Sequence, residues 1–279
     1  MINREKIYRR LIVSFLFLAF CTGTSTVVNA RSIKKIGVQL YTVRSEMEQD
    51  FEGTLRRIAA LGYDEIEFAG LFNRDPKEVR DLVRKLGMKI VSSHINSERL
   101  NSDPASAIEE TKSLGAQYMV LAWFPPEQRK TLEQWKTWVT LINRVGKMCK
   151  QKGIQFLYHN HNFEFEPVDG VEPFDLLLKT VDRRYVKFEL DLYWLKLAGR
   201  EPERLFLKYS KGFPLSHVKD MNKTEQKMVD VGDGRINFAD IFKQSKTSGM
   251  QHYFVEHDET KAPFETLERS IKYLRGLRF

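Results

Sequence analysis

The sequence predicts a single (β/α)8 barrel, the TIM barrel architecture, over residues 31–279. Three observations support this fold class. Helix-like segments alternate with short apolar strand segments along the chain, and a glycine recurs between a helix and the strand that follows it. The strand segments number eight, and the length after residue 30 of the 279 suits one barrel.

The recurring helix–glycine–strand pattern locates the repeating units. Before the first of these glycines, Leu55, Ile58 and Leu61 have the spacing of one apolar helix face. A glycine just after a helix fits the left-handed position that ends it. The five glycines in this position are Gly62, Gly87, Gly115, Gly153 and Gly249.

Eight apolar segments are predicted as strands. They lie near residues 36–41, 65–68, 89–94, 118–123, 154–159, 186–191, 214–218 and 252–256. Their alternation with helices predicts parallel pairing. The main alternative is a doubly wound open sheet, which usually has fewer strands and one switch point. Residues 39–44 (Gln-Leu-Tyr-Thr-Val-Arg) follow the first strand in place of a glycine-rich phosphate loop, and we expect one domain.

Residues 1–30 have the pattern of a secretory signal peptide. Basic residues precede the apolar run 11–20, and Val28-Asn29-Ala30 offers small residues to a signal peptidase. An uncleaved membrane anchor is one alternative, although the apolar run is short for a span. A lipoprotein attached at Cys21 is another, and Phe20 argues against it. We therefore expect an exported, periplasmic protein with no membrane span after cleavage.

Charge and cysteine content narrow the class of protein. The formal charge is +8, of which four basic residues and one acidic residue before position 31 supply +3. Basic and acidic residues are interspersed, which indicates a solvated surface and no nucleic-acid partner. Cys149 is the only cysteine after residue 30, so a large core must replace disulfides as the source of stability.

Four strand segments in the second half of the chain end in ionisable residues. Such side chains beside an apolar interior are costly unless they bind a metal, form pairs or catalyse. Barrels place their chemistry at the carboxyl ends of the strands, and residues two apart on a strand share a face. The four pairs are His159 and His161, Glu189 and Asp191, His217 and Lys219, and Glu256 and Asp258.

One residue from each pair gives a predicted metal site of His159, Asp191, His217 and Glu256. Two nitrogens and two oxygens suit a divalent manganese, zinc, cobalt or iron ion better than magnesium or calcium. A single strand-end histidine is more often a hydrogen-bonded structural residue. The prediction therefore depends on the joint pattern over four successive strands.

At these positions the chain resembles the sugar phosphate isomerase/epimerase family of the xylose-isomerase-like TIM barrel superfamily. The resemblance is carried by residues 39–44, 158–161, 189–194, 217–220 and 255–257, and it extends over nearly all of residues 31–279. The superfamily also includes inosose dehydratase, ketose 3-epimerases and endonuclease IV. The resemblance implies one divalent metal ion and proton abstraction from a carbon beside a carbonyl.

One position departs from the epimerase pattern. Those enzymes carry Glu, Asp, His and Glu on strands five to eight; Asp191, His217 and Glu256 match the last three, and His159 replaces the first. A metal-bound histidine is a poor general base because its lone pair is committed. The two-glutamate mechanism of the epimerases therefore does not transfer directly to this chain.

Endonuclease IV is a weaker match, since it needs more histidines than the 6 in this chain.

The expected catalytic residues are Glu256, Lys219 and His159. Glu256 is the first candidate for the base, and Lys219 for a hydrogen-bond donor to the enediolate, with an ion pair to Asp191 or Asp220 as its structural alternative. Aromatic residues at strand ends are expected to stack on a sugar face or to pack in the core. The predicted substrate-binding residues are Glu67, His94, Trp123, His161, Glu164 and Arg235.

The resemblance implies a metal-dependent isomerase or epimerase acting on a carbohydrate or keto-sugar. Elimination from the same enediolate is the first alternative and would make the protein a lyase or dehydratase, for example on 3-keto-glycosides. A non-catalytic periplasmic sugar-binding protein is the second alternative. The sequence leaves a homo-oligomer open.

Overall fold

Eight parallel strands close into a barrel in the computed structural model, which describes residues 30–279. The predicted signal peptide and Cys21 lie outside the described residues, apart from Ala30, so export stays a prediction. We number the barrel strands in chain order. They are β1 (Gly37–Gln39), β2 (Glu65–Phe68), β3 (Lys89–Ile95), β4 (Tyr118–Leu121), β5 (Gln155–His159), β6 (Val186–Asp191), β7 (Leu215–Val218) and β8 (His252–Val255).

The barrel closes where β1 pairs with β8, with Gly37 opposite Phe254 and Val38 opposite Val255. Every other barrel strand pairs in parallel with its neighbours in the sequence. Closure removes the open edges that an unpaired sheet would expose. The observed fold is the predicted (β/α)8 barrel, and the doubly wound open sheet is excluded.

Helices surround the barrel and return the chain between strands. They are α1 (Arg44–Gln49), α2 (Phe51–Ala60), α3 (Pro76–Lys85), α4 (Ser97–Ser102), α5 (Pro104–Leu114), α6 (Leu132–Gln151), α7 (Pro173–Thr180), α8 (Leu192–Leu197), α9 (Pro202–Lys208), α10 (Phe238–Lys243), α11 (Ser245–Ser248) and α12 (Pro263–Gly276). A two-stranded hairpin of Asp220–Met221 and Met228–Val229 follows β7. No helix within residues 30–279 has the length and apolar character needed to cross a membrane.

Two strands end two residues earlier in the structure than predicted. β1 ends at Gln39 because Leu40–Val43 turn into a 3-10 helix, and the Gln39 side chain accepts a hydrogen bond from the Tyr41 amide. β4 ends at Leu121, before Ala122 and Trp123. The early ends of these strands turn Tyr41 and Trp123 out to the rim of the barrel.

The barrel interior is apolar at its middle and polar at both ends. A cluster of Val91, Val120, Leu157, Leu215 and Phe254 fills the middle. Toward the amino ends of the strands, His252 Nδ1 lies 2.6 Å from Glu65 Oε2. Toward the carboxyl ends, the interior residues are polar or charged. The apolar middle therefore separates two polar layers that do not contact each other.

An irregularity between β2 and β3 decides which residues of β3 face inward. The register shifts at Ile66 and Glu67, so that Glu65 pairs with Lys89 but Glu67 pairs with Ser92. Val91 and Ser92 consequently both face the interior, although successive strand residues normally alternate. After this bulge, His94 faces inward as well.

The five glycines of the sequence pattern all have positive φ, between 80° and 90°. Gly249 follows α11, and a β-carbon built there would lie 2.8 Å from the Lys211 Cα. Gly153 has a similar φ of 80°, but no atom lies within 4 Å of its added β-carbon. Gly153 is therefore required only by its backbone conformation, whereas Gly249 is required both by its conformation and by the close approach of Lys211.

We predict that Gly153→Ala lowers the free energy of unfolding by about 1–2 kcal/mol, the cost of a left-handed residue with a side chain. Gly249→Ala should lower it by more, because the Lys211 backbone must also move. Urea denaturation of both variants measures the difference. Equal losses would show that contact with Lys211 has no part in the choice of glycine.

Candidate active site

A cavity of about 500 Å3 opens at the carboxyl ends of the barrel strands. Its wall has two halves of different chemistry. The arc formed by β5–β8 and the loops after them contributes His159, His161, Trp194, Lys219, Glu256 and Asp258. The arc formed by β1–β4 and their loops contributes Tyr41, Ala69, His94, Ile95, Asn96, Ala122 and Trp123.

The ammonium group of Lys219 is surrounded by three carboxylates. Its Nζ atom lies 2.7 Å from Glu256 Oε2, 3.1 Å from Asp191 Oδ2 and 2.9 Å from Asp258 Oδ1. The side chain is 2% exposed. Burial lowers the pKa of Lys219, but the three carboxylates outweigh it and hold that pKa well above its usual value. Lys219 is therefore a fixed positive charge in the cavity wall.

The three carboxylates around Lys219 differ in their tendency to hold a proton. Burial raises the pKa of Asp258 to about 6 against the opposing effect of Lys219, and burial also raises the pKa of Asp191. Burial acts in the same direction on Glu256, but Lys219 and His217 outweigh it and lower the pKa of Glu256. Glu256 is thus the most firmly ionised of the three.

Asp191 is held in place by its neighbours in the chain. Its backbone amide donates to Asn160 Oδ1 at 3.0 Å, and its Oδ1 atom accepts from the Trp194 amide at the start of α8. These contacts leave Asp191 Oδ2 directed at the site. His217 Nδ1 lies 3.8 Å from this oxygen and 2.7 Å from Glu256 Oε2.

Beneath this layer lies a second polar cluster, centred on Glu67. Glu67 Oε1 accepts from Gln39 Nε2 at 2.7 Å and lies 2.6 Å from His217 Nε2 and 3.0 Å from His94 Nε2. Ser92 donates to the other oxygen of Glu67. Burial lowers the pKa of His94, but the carboxylates of Glu67 and Glu189 outweigh it and raise that pKa to about 9.

The described residues contain two groups of potential metal ligands, which share His217. One is Glu67, His94, Glu189 and His217, and the other is His159, Asp191 and His217; within each, one ligand atom per residue lies within 4.8 Å of the others. Glu256 lies beside the second group, through its contact with His217 Nδ1. The structure thus contains a metal-binding group of His, Asp and Glu residues.

Unpartnered atoms indicate which group fits a cation better. Asp191 Oδ2, His217 Nδ1, Glu256 Oε2 and His159 Nδ1 are buried and make no hydrogen bond of regular geometry, although Lys219 Nζ lies 3.1 Å from the Asp191 oxygen and 2.7 Å from the Glu256 oxygen. Leaving such atoms unpaired is costly unless a ligand takes them. The side chains of the predicted metal site therefore fit a divalent ion. In the group around Glu67, the histidine and carboxylate atoms mostly bond to one another.

Three predicted substrate-binding residues line the cavity: His94, Trp123 and His161. His161 packs in parallel against Phe163, with ring centres 5.3 Å apart, and edge-on to His159 at 4.9 Å. Burial, followed by the charge of Lys219, lowers the pKa of His161 to about 3. His161 is therefore a neutral imidazole at neutral pH.

The other three predicted substrate-binding residues, Glu67, Glu164 and Arg235, do not line the cavity. Glu67 lies below the wall in the cluster already described. Glu164 is buried because the 3-10 turn Phe163–Phe165 directs it inward, where it accepts from Tyr158 Oη and the His161 amide, each at 2.8 Å. Glu164 therefore supports His161 from behind.

Arg235 is exposed outside the cavity because Asp220 fixes the loop that carries it. The two carboxylate oxygens of Asp220 accept hydrogen bonds from the backbone amides of Met221, Gly232, Gly234 and Ile236. This arrangement also removes Asp220 as a partner of Lys219. The predicted clamp role of Arg235 has no support in this geometry.

The sequence analysis left Asp258, Glu189 and Tyr41 out of the site. Asp258 and Glu189 were recognised as strand-end partners of Glu256 and Asp191, because alternate strand residues share a face, but only one residue of each pair was assigned to the metal site. Tyr41 carries no such pattern. It reaches the cavity because β1 ends early at Gln39.

Comparison with known proteins agrees with this barrel fold. Residues 55–277 match the family model described as xylose isomerase-like TIM barrel, so the chain belongs to this family. A sugar phosphate isomerase/epimerase from Parabacteroides distasonis is 29% identical, with a TM-score of 0.75 over 90% of this chain and 97% of that one. The fold is also that of the IolI protein solved with a zinc atom, at 17% identity and a TM-score of 0.70.

Curated relatives are inosose dehydratases. The enzyme of Lacticaseibacillus casei is 24% identical over 269 residues, which cover 81% of this chain and 89% of the relative. That of Geobacillus kaustophilus is 26% identical over 229 residues, covering 67% and 73%. The protein is therefore an enzyme. The expectation that it is an isomerase or epimerase is wrong, because these relatives are lyases by name and His159 replaces the first glutamate of the epimerases.

The ionisation of Glu164 gives a pH-dependent prediction. Burial raises its pKa from 4.5 to about 8, so its contribution to stability is fully present below pH 4.5 and is lost as the pH rises through about 8. We expect Glu164→Gln to gain stability relative to wild type by about 1.4 kcal/mol per pH unit across that window.

Urea denaturation at several pH values measures this difference. The exposed Glu166, two residues away, is the matched control, and Glu166→Gln should show no such slope. A Glu164→Gln difference that stays constant from pH 4.5 to 8 would contradict the raised pKa.

Proposed function

We propose that the protein is a lyase that eliminates a leaving group from the carbon next to an enolisable position of a keto-sugar or keto-cyclitol. One observation carries this proposal. The groups able to exchange protons with a substrate lie on the β5–β8 arc of the cavity. On the opposite arc, the ionisable imidazole, that of His94, is held by two carboxylates of the inner cluster.

This distribution favours elimination for a physical reason. Inversion at one carbon needs a base on one face of the substrate and an acid on the other. Elimination needs only that the carbon-bound proton and the leaving oxygen both face groups able to exchange protons. The β5–β8 wall offers His161, Lys219 and Asp258 together. The names of the curated relatives support the same reaction class.

We assign the metal site to His159, Asp191, His217 and Glu256, whose unpartnered atoms were described above. When bound there, a divalent manganese, zinc or cobalt ion would supply Lewis-acid stabilisation of negative charge that develops on the substrate. The side chains around it have separate tasks. The Lys219 ammonium adds a second fixed positive charge at the wall.

We assign the proton abstraction to His161. Its imidazole lines the cavity in the unprotonated form that a base requires, whereas Glu256 is one of the proposed metal ligands. Glu164 accepts from the His161 amide and so fixes the backbone that carries the base. The proton on the carbon beside the carbonyl passes to His161, a carbon–carbon double bond forms, and the carbon–oxygen bond breaks. The leaving oxygen takes a proton from the Lys219–Asp258 pair.

The reaction class can be tested directly. Metal-loaded protein incubated with an inosose or a 3-keto-sugar should release water and form a conjugated enone, which ultraviolet absorbance and mass spectrometry detect. His161→Gln should lower kcat by roughly 10²–10⁴-fold, the usual contribution of a positioned base. Its metal content should match that of wild type. Recovery of an epimer or isomer in place of the enone would refute the lyase proposal.

Glu67 has a positioning role in the proposed metal site. With a metal ion bound, the carboxylate of Glu67, which can only accept, would keep the proton of His217 on Nε2, 2.6 Å away, and leave the Nδ1 lone pair to bind the ion beside Asp191 and Glu256. A partner of this kind fixes both the tautomer and the ring orientation of a metal-binding histidine.

We therefore expect Glu67→Gln to weaken metal binding by about 10–100-fold, as loss of such partners usually does. Competition with a chelating dye measures the affinity without any catalytic assay. Glu65 is the matched control, since it lies on the same strand, is equally buried and contacts His252 at 2.6 Å at the other end of the barrel.

Glu65→Gln should leave the metal affinity unchanged, whereas Asp191→Asn, which alters a proposed ligand, should abolish binding. Equal metal affinities for Glu67→Gln and wild type would remove the positioning role of Glu67.

A further inference from the structure

The β1–β4 arc of the cavity exposes aromatic surface that the proposed reaction does not use. Among residues 30–279, the large hydrophobic side chains that are exposed are Tyr41 (43%), Trp123 (46%) and Leu207 (78%). Two of these three line the same cavity. Exposed aromatic surface at the mouth of a polar cavity is typical of a binding site for a ring.

Tyr41 is held as a fixed platform. The guanidinium of Arg44 lies over its ring, with the Arg44 Cζ atom 4.1 Å from the ring centre. The same guanidinium donates to the Tyr41 carbonyl at 2.8 Å and to the Asp258 carbonyl at 3.0 Å. The Tyr41 amide donates to Gln39 Oε1. These contacts fix the loop after β1 before a ligand arrives, which lowers the entropy cost of binding.

Trp123 is anchored through the residue that follows it. Phe124 is fully buried and stacks on Trp138 with ring centres 4.5 Å apart. The wall near the two aromatic residues is made of small side chains, Ala69 and Ala122. Away from His94, this half of the cavity is therefore open and edged by aromatic rings.

We infer that Tyr41 and Trp123 form a second subsite, which binds a ring carried on the leaving oxygen of the substrate. The 500 Å3 cavity is large enough for more than one sugar ring, since pockets of about 300–1,000 Å3 bind drug-sized ligands. The reacting keto-sugar ring occupies the charged β5–β8 half, and the second ring lies over the β1–β4 half. The substrate class is accordingly a keto-glycoside.

This inference rests on the proposed lyase function and specifies its leaving group. A proton leaves the carbon beside the carbonyl, its electron pair forms the carbon–carbon double bond, and the glycosidic carbon–oxygen bond breaks. The leaving oxygen departs as an alcohol that carries the second ring, after it takes up a proton. Neither an oxidant nor a reductant is consumed.

Binding of unreactive glycosides tests the subsite without catalysis. Titration calorimetry would compare methyl β-glucoside, which has one ring, with phenyl β-glucoside and cellobiose, which have two. Wild type should bind at least one two-ring ligand roughly three- to tenfold more tightly than the one-ring ligand, the range expected for one aromatic contact. The phenyl and sugar ligands show which kind of second ring is preferred.

Alanine variants test whether Tyr41 and Trp123 cause the tighter binding of the two-ring ligands. Tyr41→Ala and Trp123→Ala should each reduce the advantage of the two-ring ligand and leave methyl β-glucoside binding unchanged. Leu207→Ala removes the third exposed hydrophobic side chain, which lies on α9 outside the cavity, and should change neither. Equal binding of one-ring and two-ring ligands by wild type would overturn the subsite.

The two proposals fail in different ways. If a two-ring preference is present but no enone forms from any keto-sugar, the subsite stands and the lyase function is wrong. If a keto-cyclitol is dehydrated with no two-ring preference, the lyase function stands and the subsite is wrong.

Discussion

The contact of one buried ammonium with three carboxylates determines the arrangement of the active site. Asp191 ends β6, and Glu256 and Asp258 follow β8. These three carboxylates would repel one another in an apolar barrel without the Nζ atom of Lys219 between them. One positive charge does not balance three negative ones. The remaining negative charge, together with the lone pair of His217, is what makes this layer suitable for a divalent cation. Charge balance and metal affinity thus have the same origin.

The fold could be predicted from sequence because its determinants are local. Five of the helices that precede a strand are followed by a glycine of positive φ, among them Gly62, Gly87 and Gly249. The strand ends were predictable for a related reason, since parallel strands in a barrel bring their carboxyl ends to one rim. Choosing between isomerisation and elimination needed comparison with relatives, because both reactions begin with the same proton transfer.

Side-chain depth was not predictable, because it depends on contacts between distant segments. Glu67 belongs to a lower layer since Gln39 and Ser92, from the two neighbouring strands, bind its carboxylate. Arg235 stays outside since Asp220 binds the amides of its loop. Neither partner has a sequence pattern that distinguishes it. Each residue was recognised as polar and near a strand end, but its distance from the cavity required the structure.

The bulge in β3 shows that backbone geometry, in addition to residue type, determines which side chains of this strand face the active site. Regular alternation from Val91 would turn Ser93 and Ile95 inward and direct His94 away from the barrel axis. The one-residue irregularity at Ser92 reverses that order. The same residues paired without the bulge would turn Ser93 and Ile95 inward in place of Ser92 and His94, with every functional side chain still present in the chain. An alignment that scores only residue identity would still count such a protein as having an intact site.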